Sequence, residues 1–599
     1  MGGRYMKQLM TGNEAIARGV YEAGVRFASA YPGTPSTEIL ENIGTYKEIN
    51  AEWANNEKVA LEAVIGASLA GARSFAAMKH VGLNVAADPI MTAAYIGVNG
   101  GMVLVTADEP GQHSSQNEQD NRNYAKFGKM PMYEPSTSQE CKDMVIEAFD
   151  LSEKYDTPVI IRMTTRLCHS KGVVECIDRK DIKIKEYTKD VKKNVAVPAH
   201  ARVMRRNVEV RMKKLLDLSE STPLNRAEMN DTKIGIIASG MCINFAKEVF
   251  GTNASYLDLG FTNPLPEKLI IDFASKVDKV YVIEENDKYI EDHVKALGIT
   301  NIVKDALPPY GEMTPDVIRK AILNEENKKV EFNKELVVPR PPSFCAGCPH
   351  RGAFYELGKR KDIVIAGDIG CYALGFAAPY NAMDYSYDMG SAISTAHGFQ
   401  KVLNMKEGNN KRVVAVLGDS TFFHTGINSL IEVAYNKSNC ITMILDNRIT
   451  GMTGHQQNPG SGFTLQGEVT EQLNIPALVK DCGIKHIKIV NPNNLKEVEE
   501  ALDWAIAIKD EPSVIITRWP CVLKKLSQQD IEEFDKPFKE KCVVDVDKCI
   551  GCKKCMKTGC PALSFDKESK KVSIKATDCV GCEVCKQVCP KDAIEKEAK

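Results

Sequence analysis

Near the C-terminus, cysteines fall in two tight runs, Cys549-x2-Cys552-x2-Cys555-x4-Cys560-Pro561 and Cys579-x2-Cys582-x2-Cys585-x3-Cys589-Pro590. Each run puts three thiolates on one short loop, able to hold three irons of a [4Fe-4S] cube. In paired runs of this kind the last cysteine of each ligates the other run's cluster. That rule groups Cys549, Cys552, Cys555 and Cys589 on one cube, and Cys579, Cys582, Cys585 and Cys560 on the other. Zinc sites and a disulfide framework are the competing readings, but zinc rarely needs three such cysteines followed by Cys-Pro. The first run has one extra residue before its last cysteine, which widens the loop without removing a ligand. Two cubes imply a chain that passes single electrons.

A second constellation lies upstream. The β-branched run Lys411–Leu417 ends in Gly418-Asp419-Ser420, and the run Cys440–Leu445 ends in Asp446-Asn447. Both polar tips fall at the carboxyl ends of parallel strands, where open α/β sheets bind ligands. Asp419 and Asn447 each offer one oxygen to magnesium, leaving diphosphate oxygens, a backbone carbonyl and water to complete a near-octahedral shell. Gly418 and Ser420 are small enough for a diphosphate to approach the backbone. Gly390 and Ser391 precede a helix whose amides suit phosphate. The pattern is similar to the thiamine-diphosphate motif, in which Ile449 offers its carbonyl to the ion; an ordinary strand-end turn is the bland alternative. Glu57 opens a helix containing Gly66, Ala67, Ala70 and Gly71, small residues expected to pack tightly and hold its carboxylate inward. Glu62 is its rival there, and a charge favoured by the helix dipole is the alternative reading.

These groups need several sheets to position them. At 599 residues the chain exceeds one core and should split into about four domains. The expected division is 1–190, 191–335, 336–540 and 541–599. In the first domain a helix is expected over 15–28, a strand end near 26–31, and buried strands at Val103–Ala107 and Pro158–Arg162. A charged stretch over about 183–230 suggests a linker with an exposed helix, and a smaller α/β unit follows. Val338-Pro-Arg-Pro-Pro342 is a stiff linker. Composition is ordinary, with 43% apolar and 26% charged residues and a net charge of -2, so no nucleic-acid surface is expected. No apolar run is long enough for a membrane span, and the N-terminus lacks a signal-peptide core. Nineteen cysteines in such a chain fit a reducing, anaerobic cytoplasm.

The whole chain resembles the 2-oxoacid:ferredoxin oxidoreductases, most closely the alpha subunits that act on indolepyruvate. The resemblance rests on Gly12–Ala17, Tyr31-Pro-Gly-Thr-Pro-Ser-Thr37, Met78–Pro89, His113–Gln119, Cys345-Ala-Gly-Cys-Pro-His-Arg351, Gly418–Ser420, Asp446-Asn447 with Met452–His455, and the two terminal cysteine runs. It implies an α/β multidomain fold: two thiamine-diphosphate-binding parallel-sheet domains, a smaller transketolase C-terminal-like domain and a two-[4Fe-4S] ferredoxin-like domain. It makes Glu57 the carboxylate that activates the thiamine ring, puts Thr34 against the 2-oxoacid, and makes Asp419, Asn447 and the Ile449 carbonyl ligands of Mg2+. It implies that an aryl 2-oxoacid, coenzyme A and two oxidised ferredoxins give an aryl-acetyl-CoA, carbon dioxide and two reduced ferredoxins, with a smaller beta subunit as partner. Pyruvate-type relatives carry an arginine where this chain has Asp108-Glu109, so Lys79, His80, Arg122, His455 and beta-subunit groups are the candidates for the substrate carboxylate. Cys345, Cys348, Cys371 and Cys521 match positions that hold a third cluster in related oxidoreductases; a buried thiol set without metal is the alternative. Cys141, Cys168, Cys176, Cys242, Cys440, Cys482 and Cys542 are expected to be structural. The same machinery acting on phenylglyoxylate or a branched-chain 2-oxoacid, and a non-catalytic electron-transfer subunit, are the rival functions. A non-oxidative decarboxylase would have no use for the clusters.

Overall fold

Short β-branched runs alternating with amphipathic helices build a large parallel sheet in each of two units, which the computed structural model divides between Phe332 and Asn333. The structure describes residues 6–327, 329–534, 537–538 and 540–597.

In the first unit the seven-stranded sheet runs Phe261–Asn263, Met132–Tyr133, Val159–Thr164, Met102–Asp108, Ser74–Lys79, Phe27–Ala30, Asn50–Trp53. All pairs are parallel except the first, where Phe261–Asn263 lies antiparallel to Met132–Tyr133. Met102–Asp108 and Val159–Thr164 are buried throughout, as strands covered on both faces must be. The helix expected over 15–28 is instead Gly12–Glu22. Thr11 and Glu14 close a capping box at its start. At its end Gly24, at φ 77°, turns the chain towards the Phe27–Ala30 strand.

The charged stretch after residue 183 also differs from expectation. Its helix, Pro198–Ser219, is not free: Met204, Val208, Arg211 and Leu215 are buried, and Arg211 Nη1 donates to the Asp156 carbonyl at 2.7 Å. A four-stranded sheet follows, ordered Lys279–Ile283, Ile234–Ala238, Ser255–Leu259, Asn225–Glu228, with only the last strand antiparallel. The Phe261–Asn263 strand of this segment extends the large sheet rather than its own.

The second unit's five-stranded sheet is wholly parallel, ordered Ile363–Ala366, Arg412–Gly418, Ile441–Asp446, Ser513–Arg518, His486–Val490. Alternate residues face opposite layers, Val414, Val416, Met443 and Ile515 on one side and Val413, Ala415, Ile444 and Val514 on the other. Two short antiparallel pairs, Cys542–Val544 with Ile594–Lys596 and Leu563–Phe565 with Val572–Ile574, carry the terminal cysteine loops.

Candidate active site and electron-transfer centres

Adjacent strands of the second unit deliver Asp419 and Asn447. Arg412–Gly418 pairs with Ile441–Asp446, so their tips are neighbours. Gly418 packs under Tyr372, where a Cβ would sit 2.8 Å from the ring. Asp419 then opens a short helical turn, 1% exposed; Oδ1 accepts the Ser420 amide at 2.8 Å and Oδ2 the Asn458 side chain at 3.3 Å. Burial, with the neighbouring Asp446 charge adding, pushes its carboxyl up to about 8. Asp446 itself is tied to Arg518 Nε at 2.7 Å, which leaves the next residue for a ligand. Asn447 is 7% exposed, its amide 3.4 Å from His350 Nε2, and its carbonyl accepts the Cys521 amide at 3.0 Å. Arg448, at φ 60°, turns the chain so that buried Ile449 follows, and is held in that conformation by Asp530 and Glu533. A buried carboxylate at one strand tip, with a buried amide and a carbonyl past the neighbouring tip, makes an oxygen donor set suited to a hard divalent cation. The buried Asp419 carboxylate has no cationic partner among the described residues, so the donor set fits a metal-bound diphosphate.

The phosphate role expected of Gly390 and Ser391 is corrected in one respect. The helix Ser391–Asn404 does begin there, but its first amides are occupied. Asp368 accepts from Gly390 N at 2.8 Å and Ala392 N at 2.9 Å, and Ser391 N donates to the Asp388 carbonyl at 3.2 Å. Gly390 itself is demanded by φ 94° and by Thr425, whose Oγ1 would lie 1.6 Å from a Cβ.

In the first unit, Asn56 caps the helix Glu57–Leu69 by accepting the Val59 amide at 2.9 Å. Glu57 is buried, whereas Glu62 is half-exposed and paired with Lys58. The small residues do not hold Glu57 in place: Gly66 and Ala70 are exposed, and a Cβ on Gly66 would meet nothing within 4 Å. Gly82 makes the room, since its Cβ would come within 2.7 Å of Glu57 Oε1. Lys79, at a strand end, packs its stem on Gly33 beside Thr34 and lies 3.7 Å from Glu109; burial lowers its pKa. Arg122 is corrected as a carboxylate partner, because Asp120 and Glu284 consume it inside the protein. His80 is fully buried with Nε2 at 3.2 Å from the Asn117 carbonyl, and burial lowers its pKa. His113 is exposed beside Glu312.

None of the nineteen cysteines is joined in a disulfide. Cys549, Cys552, Cys555 and Cys589 line one pocket, and Cys560, Cys579, Cys582 and Cys585 another. The widened first loop closes through the turn Cys555–Thr558 and Gly559 at φ 65°. Among the described residues no three Cys, His, Asp or Glu side chains converge tightly enough for a single ion. Thiols spread around a cavity suit a larger iron–sulfur cube instead. Sequence reasoning missed Cys542: its amide donates to Cys579 Sγ at 3.3 Å, and it lines the second cavity. Cys345, Cys348, Cys371 and Cys521 form a third group. Burial pushes the Cys371 thiol up to about 11, with Cys521 and Cys345 adding, and Cys348 is raised by burial and by the neighbouring Cys521 and Cys371.

Two parallel-sheet units, one with paired strand-tip donors and with cysteine-lined pockets, define a thiamine-diphosphate-dependent iron–sulfur oxidoreductase. The family described as pyruvate flavodoxin/ferredoxin oxidoreductase, thiamine diphosphate-binding, matches residues 18–219. The thiamine pyrophosphate enzyme C-terminal binding domain matches 368–517, and a 4Fe-4S dicluster domain matches 548–593. Indolepyruvate oxidoreductase subunit IorA of Archaeoglobus fulgidus is 40% identical over 98% of this chain and 97% of its own length. That of Methanothermobacter marburgensis is 40% identical over 100% and 98%, and that of Pyrococcus abyssi 38% identical over 98% and 96%. The chain belongs to the indolepyruvate oxidoreductase subunit IorA family. Among the described residues no helix is long and apolar enough to cross a membrane.

Proposed function

We propose that this chain is the catalytic alpha subunit of a cytoplasmic enzyme that oxidatively decarboxylates indolepyruvate and other aryl 2-oxoacids, with coenzyme A as acyl acceptor and ferredoxin as electron acceptor. The observation that carries this is the buried Asp419–Asn447 pair, in a chain alike to its relatives from end to end. Asp419, Asn447 and the Ile449 carbonyl would hold Mg2+ with the diphosphate, while Gly418 and Ser420 would leave the backbone open to it. Thiamine diphosphate, when bound, supplies the electron sink that lets a 2-oxoacid lose carbon dioxide. Glu57 holds the proton shared with the thiamine ring. Thr34 and Lys79 orient the substrate, Lys79 by its charge. The two terminal cysteine sets would hold [4Fe-4S] clusters, which would supply one-electron carriers, and Cys345, Cys348, Cys371 and Cys521 would hold a third. A smaller beta subunit completes the enzyme, and the four-domain division at about 190, 335 and 540 describes its alpha chain.

The test is dye reduction by the two-subunit holoprotein. Viologen should be reduced with indolepyruvate only when thiamine diphosphate and coenzyme A are present. Reduction with phenylglyoxylate alone would transfer the proposal to that substrate. No reduction with any aryl 2-oxoacid, together with no thiamine in the purified protein, would leave a non-catalytic electron-transfer subunit.

A further inference from the structure

Arg351 is 1% exposed and has no carboxylate partner among the described residues. Its Nη1 donates to the Tyr380 hydroxyl at 2.8 Å and the Thr558 carbonyl at 2.9 Å. Its Nη2 donates to the Phe344 carbonyl at 2.9 Å and to that of Cys345. Nε is buried with no hydrogen-bond partner. A buried guanidinium is costly without a counter-charge. Arg122, Arg162 and Arg448 each have buried acids. Arg412 rests on carbonyls at the end of the helix Leu495–Ala507, whose partial negative charge serves it. Phe344 and Cys345 lie in no helix, and Thr558 ends only the four-residue turn Cys555–Thr558, so that compensation is slight for Arg351.

Its surroundings supply another. Its hydrogen bonds reach the loops of two cysteine groups: Nη2 donates to the carbonyl of Cys345 in the third group, and Nη1 to that of Thr558, two residues before Cys560 of the second terminal set. The loops carrying them are in contact: a Cβ on Gly347 would meet Val580 Cγ2 at 2.0 Å, and Ala346 and Gly347 line the cavity of Cys560, Cys579, Cys582 and Cys585. Thr558, which accepts from Arg351, sits in the widened loop just before Cys560. A four-iron cube bound by four thiolates is an anion, and its potential follows net charge and hydrogen bonding nearby.

We propose that Arg351 is the shared counter-charge of two iron–sulfur clusters, one on Cys345, Cys348, Cys371 and Cys521 and the other on Cys560, Cys579, Cys582 and Cys585. A cation between them favours the more negative, reduced state of both, so it raises both potentials relative to the cluster on Cys549, Cys552, Cys555 and Cys589. The inference rests on the three-cluster reading of the proposed function.

The experiment uses anaerobically purified holoprotein with its companion subunit, assayed for iron and titrated potentiometrically with electron paramagnetic resonance detection. Wild type should hold about twelve irons per chain, three cubes of four. In Arg351→Met two midpoint potentials should fall by tenfold or more in the reduction equilibrium, ~59 mV for a one-electron couple, with the third unmoved. Arg351→Lys, which keeps the charge, should retain most of both potentials. A wild-type count near eight overturns the three-cluster reading and the sharing with it. A count near twelve with unmoved or equally shifted potentials in Arg351→Met overturns the role of Arg351 alone. If Arg351→Met loses iron, retention by Arg351→Lys supports the charge role, and loss in both overturns it.

Discussion

The position of Glu57 depends on a side chain that is absent. Gly82 lies against its carboxylate, and a methyl group there would come within 2.7 Å of Oε1. Gly82→Ala should therefore displace the carboxylate rather than unfold the protein. A misplacement of that order in a catalytic group costs about 10²-fold in rate. Steady-state dye reduction should show that loss while iron content stays at the wild-type level. Asp419 offers a complementary case. Asp419→Ala removes the buried carboxylate on which the proposed metal depends, so thiamine retained after gel filtration in magnesium should fall to background. Iron per chain should not change, because the hydrogen-bond partners of that carboxylate are the Ser420 amide and Asn458 rather than a cysteine; joint loss of thiamine and iron would point to misfolding instead.

At the scale of elements, the helix Ser391–Asn404 owes its start to Asp368 rather than to a phosphate. The carboxylate accepts amides from Ile369, Gly390 and Ala392, and burial pushes it up to about 7. Removing a cap costs about 0.5–2 kcal/mol, and orphaning buried amides adds about 1–3 kcal/mol more. Asp368→Ala should lower stability by roughly 2 kcal/mol or more, read as a shift in the urea midpoint, whereas an unchanged midpoint would remove the cap from the account. This element also marks where sequence reading stops. The strands ending at Gly418 and Asp446 were legible because doubly covered parallel strands are apolar throughout, and Asp419 and Asn447 follow directly from their tips. Asp368 was not legible, since it caps a helix more than twenty residues downstream across a sheet edge. Cys542 likewise reaches its cavity only through the pairing of Cys542–Val544 with Ile594–Lys596, a register no cysteine spacing encodes. Gly82 was hidden because a glycine's purpose lies in what it leaves empty.

At the scale of the molecule, a buried charge cluster ties the large sheet of the first unit to the segment that follows the Lys279–Ile283 strand. Arg162 joins Asp108 at 2.6 Å and Glu134 at 2.7 Å, and Arg122 joins Glu284 at 2.7 Å. Glu285 sits beside them, accepting the Met313 amide at 3.0 Å, and burial pushes it up to about 7 from an ordinary value near 4.5. Its folded-state pKa is raised, so the folded protein keeps a proton that the unfolded chain releases. Its contribution is fully present below about 4.5 and is lost as pH rises through about 7. The apparent melting temperature should decline between about pH 4.5 and pH 7 and level off above, and Glu285→Gln should flatten that slope; an identical slope in the variant would assign the decline to other groups. The Phe261–Asn263 strand bears on how the gene can be divided. A fragment ending near residue 219 would leave Met132–Tyr133 as an unsealed sheet margin, with backbone groups open to a neighbouring chain. Expression boundaries drawn by sequence similarity alone would thus yield a sticky product, and an N-terminal fragment should stay in solution only if it ends beyond Asn263.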